Sequence, residues 1–177
     1  MNRLSLLVDL SSLITREVGI DALLDFAAER LAEAMNAERA TLWLVNAEDR
    51  SLVARVAVLP EIDGLRLERG QGIAGHVAET GDVVRVDDAR SDERFDQSVD
   101  ERTGYATQSL VTVPVRASAA APIRGVVQVL NKRSGPFDDD DVRYLQALAV
   151  QLDHALALTS LRAEDEAQLG ACHKEGP

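Results

Sequence analysis

The sequence predicts an α+β domain built around an antiparallel sheet. Two observations support this prediction. Apolar residues recur with a helical period towards both ends of the chain, and with a period of two in several segments between them. Short polar or small-residue turns join neighbouring strand segments in two places, which indicates antiparallel hairpins. The 177 residues have the length of one domain with additional helix at its ends.

Two helices are predicted before the first strand. Residues 4–18 carry apolar side chains at alternating steps of three and four, and Gly19 interrupts this stripe. Asp21 is a suitable N-cap for a second helix, which continues to about Asn36. The period then changes to two across residues 40–58, which predicts a hairpin of two strands.

The predicted elements that follow are shorter. They are a strand at 65–67, a helix at 72–79, a strand at 83–86, a helical turn near 96–103, and two strands at 109–115 and 123–130. The helical turn lies in a polar connection, residues 87–106, and ordered connections of this length often carry function. A last helix follows Phe137 and runs to about Glu166, which corresponds to roughly 40 Å. One domain of this size does not need so much helix for its own core.

The composition limits the function classes. The formal net charge of −11 would repel nucleic acids and anionic membranes, so neither is an expected partner. No apolar run approaches the roughly 20 residues that span a bilayer, and the N-terminus lacks a signal-peptide cleavage site. Cys172 is the single cysteine, which excludes an internal disulfide and indicates a reducing compartment. We therefore expect a cytoplasmic location.

A literal GxGxxG motif, GQGIAG, occupies residues 70–75. A dinucleotide site would need a buried strand before the motif and a long crossover helix after it. The four preceding residues are mostly polar, and the helix that follows ends at Gly81. A tight turn into a short helix is therefore the favoured interpretation.

The remaining candidate sites also favour structural interpretations. Four aspartates at 138–141 lack the alternating ligands, central glycine and distal glutamate of a calcium loop, whereas acids in the first turn of a helix complement its dipole. No nucleophile elbow or Ser/His/Asp set is present. The histidines share no metal-ligand spacing; they are His76, His154 and His173. We therefore predict no metal site, no bound cofactor and no enzymatic activity.

A series of motifs, in chain order, resembles GAF domains. The motifs are GQGIAGHVAETG at 70–81, DDA at 87–89, RF at 94–95, VD at 99–100, TGYAT at 103–107, VPV at 113–115, GVVQVLNK at 125–132 and Phe137. The resemblance covers most of residues 20–160, and is strongest to the GAF domains of cyclic nucleotide phosphodiesterases and bacterial adenylyl cyclases. It implies a six-stranded antiparallel sheet with the terminal helices on one face and a ligand pocket on the other.

The resemblance also implies a ligand site. Backbone groups at the start of the short helix would meet a phosphate, the polar connection would reach the phosphate and ribose, and two sheet residues would face the base. The second strand has Ala57 and Val58 where an aromatic residue and a polar neighbour are expected. The ligand is therefore either a cyclic nucleotide (cAMP or cGMP) or another small molecule. The implied residues are Thr41, Ile73, Ala74, Val99, Asp100, Thr103, Thr107 and Gln128.

A lysine and an aspartate pair beside the pocket in the family signature. Lys132 and Asp141 fit these positions, whereas Val142 stands where the family has glutamate. We expect this ion pair to tie the last strand to the last helix. Attachment of a bilin is not expected, because no cysteine lies near the pocket segments.

Together these features predict a regulatory module rather than an enzyme. Residues 1–18 would form an N-terminal dimerisation helix, 19–160 the sensory domain, and 161–177 the end of a signalling helix with a polar tail. Expected partners are a second copy bound through the terminal helices, a small-molecule ligand and an attached output domain. The alternative is a ligand-free dimerisation module of a transcriptional activator or sensor kinase.

Overall fold

The structure is a computed structural model that describes Leu6, Val8, Asp9, Ser12, residues 20–57 and residues 65–172. Most of the predicted helix at 4–18, Val58 and the tail from His173 onward lie outside the described residues. In chain order the elements are α1 (Ile20–Ala34), β1 (Ala37–Val45), β2 (Leu52–Ala57), β3 (Arg66–Leu67), α2 (Gly72–Thr80), β4 (Val84–Val86), α3 (Ser98–Thr103), β5 (Leu110–Val115), β6 (Gly125–Lys132) and α4 (Asp139–Cys172).

The strands form one six-stranded sheet in the order β3-β2-β1-β6-β5-β4, and each neighbouring pair is antiparallel. The predicted α+β class and its antiparallel sheet are therefore confirmed. Strand β5 is buried along its whole length, because helices cover both faces of the sheet. The pairing of β4 stops at Thr112, so Pro114, which has no N–H to donate, lies where β5 has only one neighbour.

One face of the sheet packs against α1 and α4. Alternate residues of β5 point to this face, among them Val111 and Val113, which are fully buried. The helices contribute their apolar stripes, and the fully buried Leu6 joins the same cluster. Helix α4 continues for about 24 Å past Leu156, the last of its residues that packs in this cluster among those whose burial is described, and ends six residues beyond the predicted end.

The opposite face of the sheet packs against α2. Its apolar cluster includes Trp43 from β1, Val126 from β6, and Ile73 and Val77 from α2. This face is therefore covered by a nine-residue helix and by the irregular chain around it, rather than by a long helix. The alternation of side chains along β1 assigns Ala40 and Leu42 to one cluster and Trp43 to the other.

The GxGxxG motif forms a tight turn into α2, as its structural interpretation predicted. Gly72 adopts a positive φ of 66°, which L side chains rarely take. A Cβ atom on Gly75 would lie 2.8 Å from the carbonyl carbon of Gly70. The first glycine of the motif and the last therefore pack backbone to backbone, and the turn has no room for a side chain at Gly75.

The aspartate run caps helix α4. The backbone N–H of Asp141 donates to Asp138 Oδ1 at 2.9 Å, and the backbone N–H of Asp138 donates to Asp141 Oδ2 at 3.0 Å. This reciprocal arrangement is a capping box. Lys132 Nζ lies 2.5 Å from Asp141 Oδ2, so β6 and the start of α4 are joined by an ion pair.

Candidate ligand pocket

A cavity of about 70 Å³ lies between the sheet and the chain that runs through α2, α3 and the start of β5. All eight predicted ligand-binding residues line this cavity: Thr41, Ile73, Ala74, Val99, Asp100, Thr103, Thr107 and Gln128. They come from five separate segments of the chain, which only the fold brings together. That these residues contact a ligand remains a prediction.

The floor of the cavity consists of paired residues from β1 and β6. Thr41 is opposite Gln128 in the antiparallel register, and Arg39 is opposite Leu130. Residues that are directly opposite share a face of the sheet, so the Thr41 hydroxyl and the Gln128 amide form one polar layer. Thr41 is 3% exposed, so its end of this layer is shielded from solvent, whereas Gln128 is half-buried.

The start of α2 forms one wall of the cavity. No acceptor within the described residues is recorded for the backbone N–H groups of Ile73 and Ala74. Gln71 does not cap the helix; its side chain donates instead to Asp96 Oδ2 at 2.6 Å. Hydrogen bonds from Ser98 and Gln71 lower the pKa of Asp96, so a carboxylate stays ionised beside the helix start. The two N–H groups remain available to an anionic or carbonyl group of a ligand.

The polar connection forms a second wall of the cavity. Its polar side chains already have hydrogen-bond partners within the same part of the chain. Asp100 accepts two hydrogen bonds from Thr107, one from the backbone N–H and one from the hydroxyl, both at 2.7 Å. The Thr103 hydroxyl donates to the Val99 carbonyl at 2.9 Å. A ligand that binds Asp100 or Thr103 must therefore share these groups with existing partners or replace them.

The rim of the cavity is held by a hydrogen-bonded cluster. The Tyr105 hydroxyl donates to Glu38 Oε2 at 2.8 Å, and Asn131 Nδ2 donates to the same oxygen at 3.1 Å. The Arg39 guanidinium lies 3.6 Å from the centre of the Tyr105 ring. Burial, followed by the bond to Glu38, raises the pKa of Tyr105, whereas the bonds from Tyr105 and Asn131 lower the pKa of Glu38. The rim therefore carries a neutral phenol and an ionised carboxylate at neutral pH.

Among the described residues, two buried donors on the pocket side of the sheet have no recorded partner. Trp43 lines the cavity and is 3% exposed, and its Nε1 has no acceptor in the described part of the chain. The hydroxyl of Thr112, which is opposite Gln128 in the β5–β6 register, is also buried without a recorded partner there. Leaving a buried donor unsatisfied costs about 1–3 kcal/mol.

The size and charge of the cavity limit what it holds in this conformation. A volume of about 70 Å³ is room for a few water molecules and is smaller than a complete cyclic nucleotide. One arginine, Arg39, is accompanied by two carboxylates, Asp96 and Asp100. An anion would therefore be attracted by the α2 N-terminus rather than by a surplus of positive side chains.

Sequence reasoning did not identify half of the cavity lining. Trp43 and Leu130 follow Thr41 and Gln128 by two residues, so the strand period alone could have identified both. Arg39 precedes Thr41 by two residues and could have been identified in the same way, whereas Leu67 and Gly72 belong to β3 and the start of α2. Phe95, Asp96 and Tyr105 depend on how the polar connection folds over the sheet, for which the sequence offered only its large apolar side chains as a signal. The missed lining residues are Arg39, Trp43, Leu67, Gly72, Phe95, Asp96, Tyr105 and Leu130.

The observed architecture is an α+β domain with a six-stranded antiparallel sheet, two helices on one face and, on the other, a cavity beneath a short helix and an irregular connection. The GAF domain family profile matches residues 19–156. The chain belongs to the GAF domain family, whose members are typically small-molecule-sensing regulatory modules.

Two relatives resemble nearly the whole chain but are much longer. The dual 3',5'-cyclic-AMP and -GMP phosphodiesterase 11 of Drosophila melanogaster is 34% identical over 171 residues, which are 85% of this chain and 12% of that protein. The probable 3',5'-cyclic phosphodiesterase pde-5 of Caenorhabditis elegans is 30% identical over 165 residues, which are 84% of this chain and 22% of that protein. The predicted resemblance to phosphodiesterase GAF regions is confirmed.

A solved structure supports the fold. The GAF domain of a phosphoenolpyruvate-protein phosphotransferase from Coxiella burnetii matches with a TM-score of 0.81 over 93% of this chain and 98% of that chain. At 19% identity this likeness concerns the fold alone. Among the helices of the described residues, none combines the length and the apolar character needed to cross a bilayer.

Proposed function

We propose that the chain is a non-catalytic regulatory module that binds a cyclic nucleotide, cAMP or cGMP, in this pocket and controls an attached output domain. The observation that carries the proposal is the convergence of all eight predicted ligand-binding residues on one buried cavity. The relatives named as cyclic nucleotide phosphodiesterases supply the ligand class.

The chemistry of the lining supports a nucleotide. The Thr41 hydroxyl and the Gln128 amide, side by side on the floor, can exchange hydrogen bonds with the edge of a base. The N–H groups of Ile73 and Ala74 suit a phosphate. Because the cavity in its present volume is smaller than a complete cyclic nucleotide, the segment from Phe95 to Thr107 must move outwards to admit the ligand.

Titration calorimetry with cAMP and cGMP tests this proposal. We expect one of the two to bind at micromolar concentration or weaker, which is about −8 kcal/mol at 1 μM. Thr103→Ala and Asp100→Ala should each weaken binding roughly five- to thirtyfold, because each removes a polar partner from the pocket.

Thr80→Ala is the matched control for this experiment. The Thr80 hydroxyl donates to the His76 carbonyl four residues earlier, as Thr103 does to Val99, but Thr80 lies outside the pocket. The control should leave the nucleotide affinity unchanged. If no heat and no thermal shift appeared at millimolar nucleotide, the cyclic-nucleotide proposal would be wrong.

A ligand-free dimerisation module is the second candidate function. Two observations favour it: Asp100 already accepts two hydrogen bonds from Thr107, and α4 extends well beyond the core. Leu158, two residues after the buried Leu156, is 43% exposed, so this helix offers apolar surface to a second copy. The proposed dimer packs the terminal helices of two copies against each other.

Light scattering tests the dimer directly, and we expect twice the chain mass. Leu158→Glu should shift the equilibrium towards monomer, because it places a charge in the proposed interface. Gln146→Glu serves as the control and should leave the dimer intact. Gln146 is an exposed residue in the part of α4 that packs on the sheet. Residues 1–18 and 157–177 are removed in a second, separate variant. If the dimer persisted in this variant and also in Leu158→Glu, the interface would lie elsewhere.

A further inference from the structure

We propose that Gln71 is a positioning residue that latches the pocket. Residues 92–104, the flap, cover one side of the cavity, and the Gln71 side chain binds Asp96 of the flap to the start of α2. The ligand enters when this end of the flap moves away from α2. The role of the latch in ligand entry rests on the proposed function, whereas the latch itself can be tested without a ligand.

The base of the flap is attached firmly to the sheet. The backbone N–H of Ala89 donates to the Gln108 carbonyl at 2.7 Å, so the chain before the flap is joined to the chain after it. Asn131 of β6 donates to the Ala106 carbonyl at 2.9 Å and accepts the Gln108 N–H at 2.7 Å. The flap therefore opens by moving about a fixed base.

The rest of the flap is held weakly. Helix α3, which lies within it, has no buried residue, and Phe95 and Val99 are only half-buried against the apolar cluster of the pocket face. Among the described residues, the bond from Gln71 Nε2 to Asp96 Oδ2 is the only recorded hydrogen bond that joins residues 92–104 to chain outside residues 89–108. Segments with few buried contacts open locally at a low cost in free energy. The Asp96 end of the flap is therefore the end that opens.

The latch is short and well supported on both sides. Gln71 Nε2 lies 2.6 Å from Asp96 Oδ2, and Asp96 Oδ1 accepts the backbone N–H of Ser98 at 2.9 Å. Gln71 Oε1 accepts the backbone N–H of Glu68 at 2.9 Å, so both ends of the amide are engaged. Hydrogen bonds to an ionised carboxylate are stronger than those between neutral groups. Gln71 is not part of the cavity lining, so it acts on the pocket through Asp96, which is.

Gln71→Glu tests the latch in the unliganded protein. The new carboxylate still accepts the Glu68 N–H and complements the dipole at the start of α2, but it repels Asp96 instead of binding it. Helix α2 should therefore stay intact while the flap opens more often. We expect backbone amide exchange across residues 95–103 to become roughly tenfold faster, measured by hydrogen–deuterium exchange, with exchange in β1 and β6 unchanged.

A second substitution restores the bond with its polarity reversed. In Gln71→Glu/Asp96→Asn the introduced amide donates to the introduced carboxylate, and its oxygen still accepts the Ser98 N–H. Amide exchange in the flap should return to within about twofold of the unmodified chain. Gln146→Glu is the matched control, because it makes the same change at an exposed residue of α4, on the other face of the sheet. It should leave exchange in the flap unchanged.

The rates of nucleotide binding test the role of the latch in ligand entry. Trp43 is the only tryptophan of the chain and lines the cavity, so its fluorescence in a stopped-flow experiment reports the binding of cAMP or cGMP. In Gln71→Glu the association and dissociation rate constants should both rise roughly three- to tenfold, because the same opening precedes entry and exit. General damage to the pocket would instead slow association while it speeds dissociation.

Several outcomes would overturn the inference. Unchanged flap exchange in Gln71→Glu would do so, as would fast exchange that Asp96→Asn does not reverse. If Gln71→Glu does not fold, Gln71→Met removes the donor without adding a charge, and its flap exchange decides. Nucleotide binding at unchanged rates would overturn the role in ligand entry and leave the proposed function standing. If neither nucleotide binds while the flap responds as expected, the proposed function is wrong and the latch is confirmed.

Discussion

Replacing Lys132 with methionine is expected to lower the free energy of unfolding by about 3–5 kcal/mol, because it leaves a buried carboxylate without its cation. The Asp141 side chain is fully buried and that of Lys132 is 11% exposed, so water screens the pair only weakly. Asp141 Oδ2 also accepts the backbone N–H of Asp138. Loss of the lysine therefore affects the attachment of α4 to β6 and the cap of α4 at once.

A double-mutant cycle separates the ion pair from the cap. Asp141→Asn keeps an oxygen that can accept the Asp138 N–H but removes the charge. The double variant Lys132→Met/Asp141→Asn should cost less than the sum of the two single losses, as measured by urea unfolding. Asp140→Ala is the control, since Asp140 pairs with Arg143 in solvent and should change stability by less than about 0.5 kcal/mol. Additive single losses would show that the two side chains are not coupled.

Gly125→Ala should destabilise the domain by about 3 kcal/mol or more. A Cβ atom at this position would lie 2.4 Å from the carbonyl oxygen of Trp43, and a backbone oxygen in the middle of the sheet cannot turn aside as a side chain can. The clash would have to be relieved by separating β1 from β6, the two central strands.

The matched variant for this effect is Gly104→Ala. Gly104 has a positive φ of 68° and no atom within 4 Å of an added Cβ, so alanine there adds backbone strain without a clash, about 1–2 kcal/mol. Urea unfolding of both variants distinguishes the two costs. The proposed clash would be refuted if Gly125→Ala were no more destabilising than Gly104→Ala.

Periodicity was sufficient for the sheet and for part of the pocket. The alternation along β1 placed Thr41 on the face opposite Ala40 and Leu42, and the structure agrees. The candidate ligand-binding residues of the polar connection were predicted through the family resemblance, because neither a period of two nor a helical period runs through residues 87–106. Such a segment is positioned by tertiary contacts, for example the bonds of Asp100 to Thr107, which connect residues seven positions apart.

The sequence could not predict the volume of the cavity or which buried donors have hydrogen-bond partners, and the reason is different. They depend on differences of an ångström in how side chains pack, and no local pattern encodes such differences. The Trp43 indole is an example: the sequence shows a tryptophan in a strand, and only the fold shows that its Nε1 is buried without an acceptor in the described part of the chain. The end of α4 was also underestimated, since no glycine or proline stops the helix near Glu166.

Helix α4 is anchored to the sheet at its start and extends well beyond the core at its other end. Its 34 residues give a length of about 50 Å, and its start is fixed to β6 by Lys132. Gln128 lies only four residues before Lys132 on the same strand, so the pocket floor is close to this anchored end of α4. If α4 tilted by one degree about its anchored start, its far end would move by about 0.9 Å at this length. If the proposed output domain follows α4, a tilt of a few degrees at the start of the helix would displace the attachment point by a few ångströms.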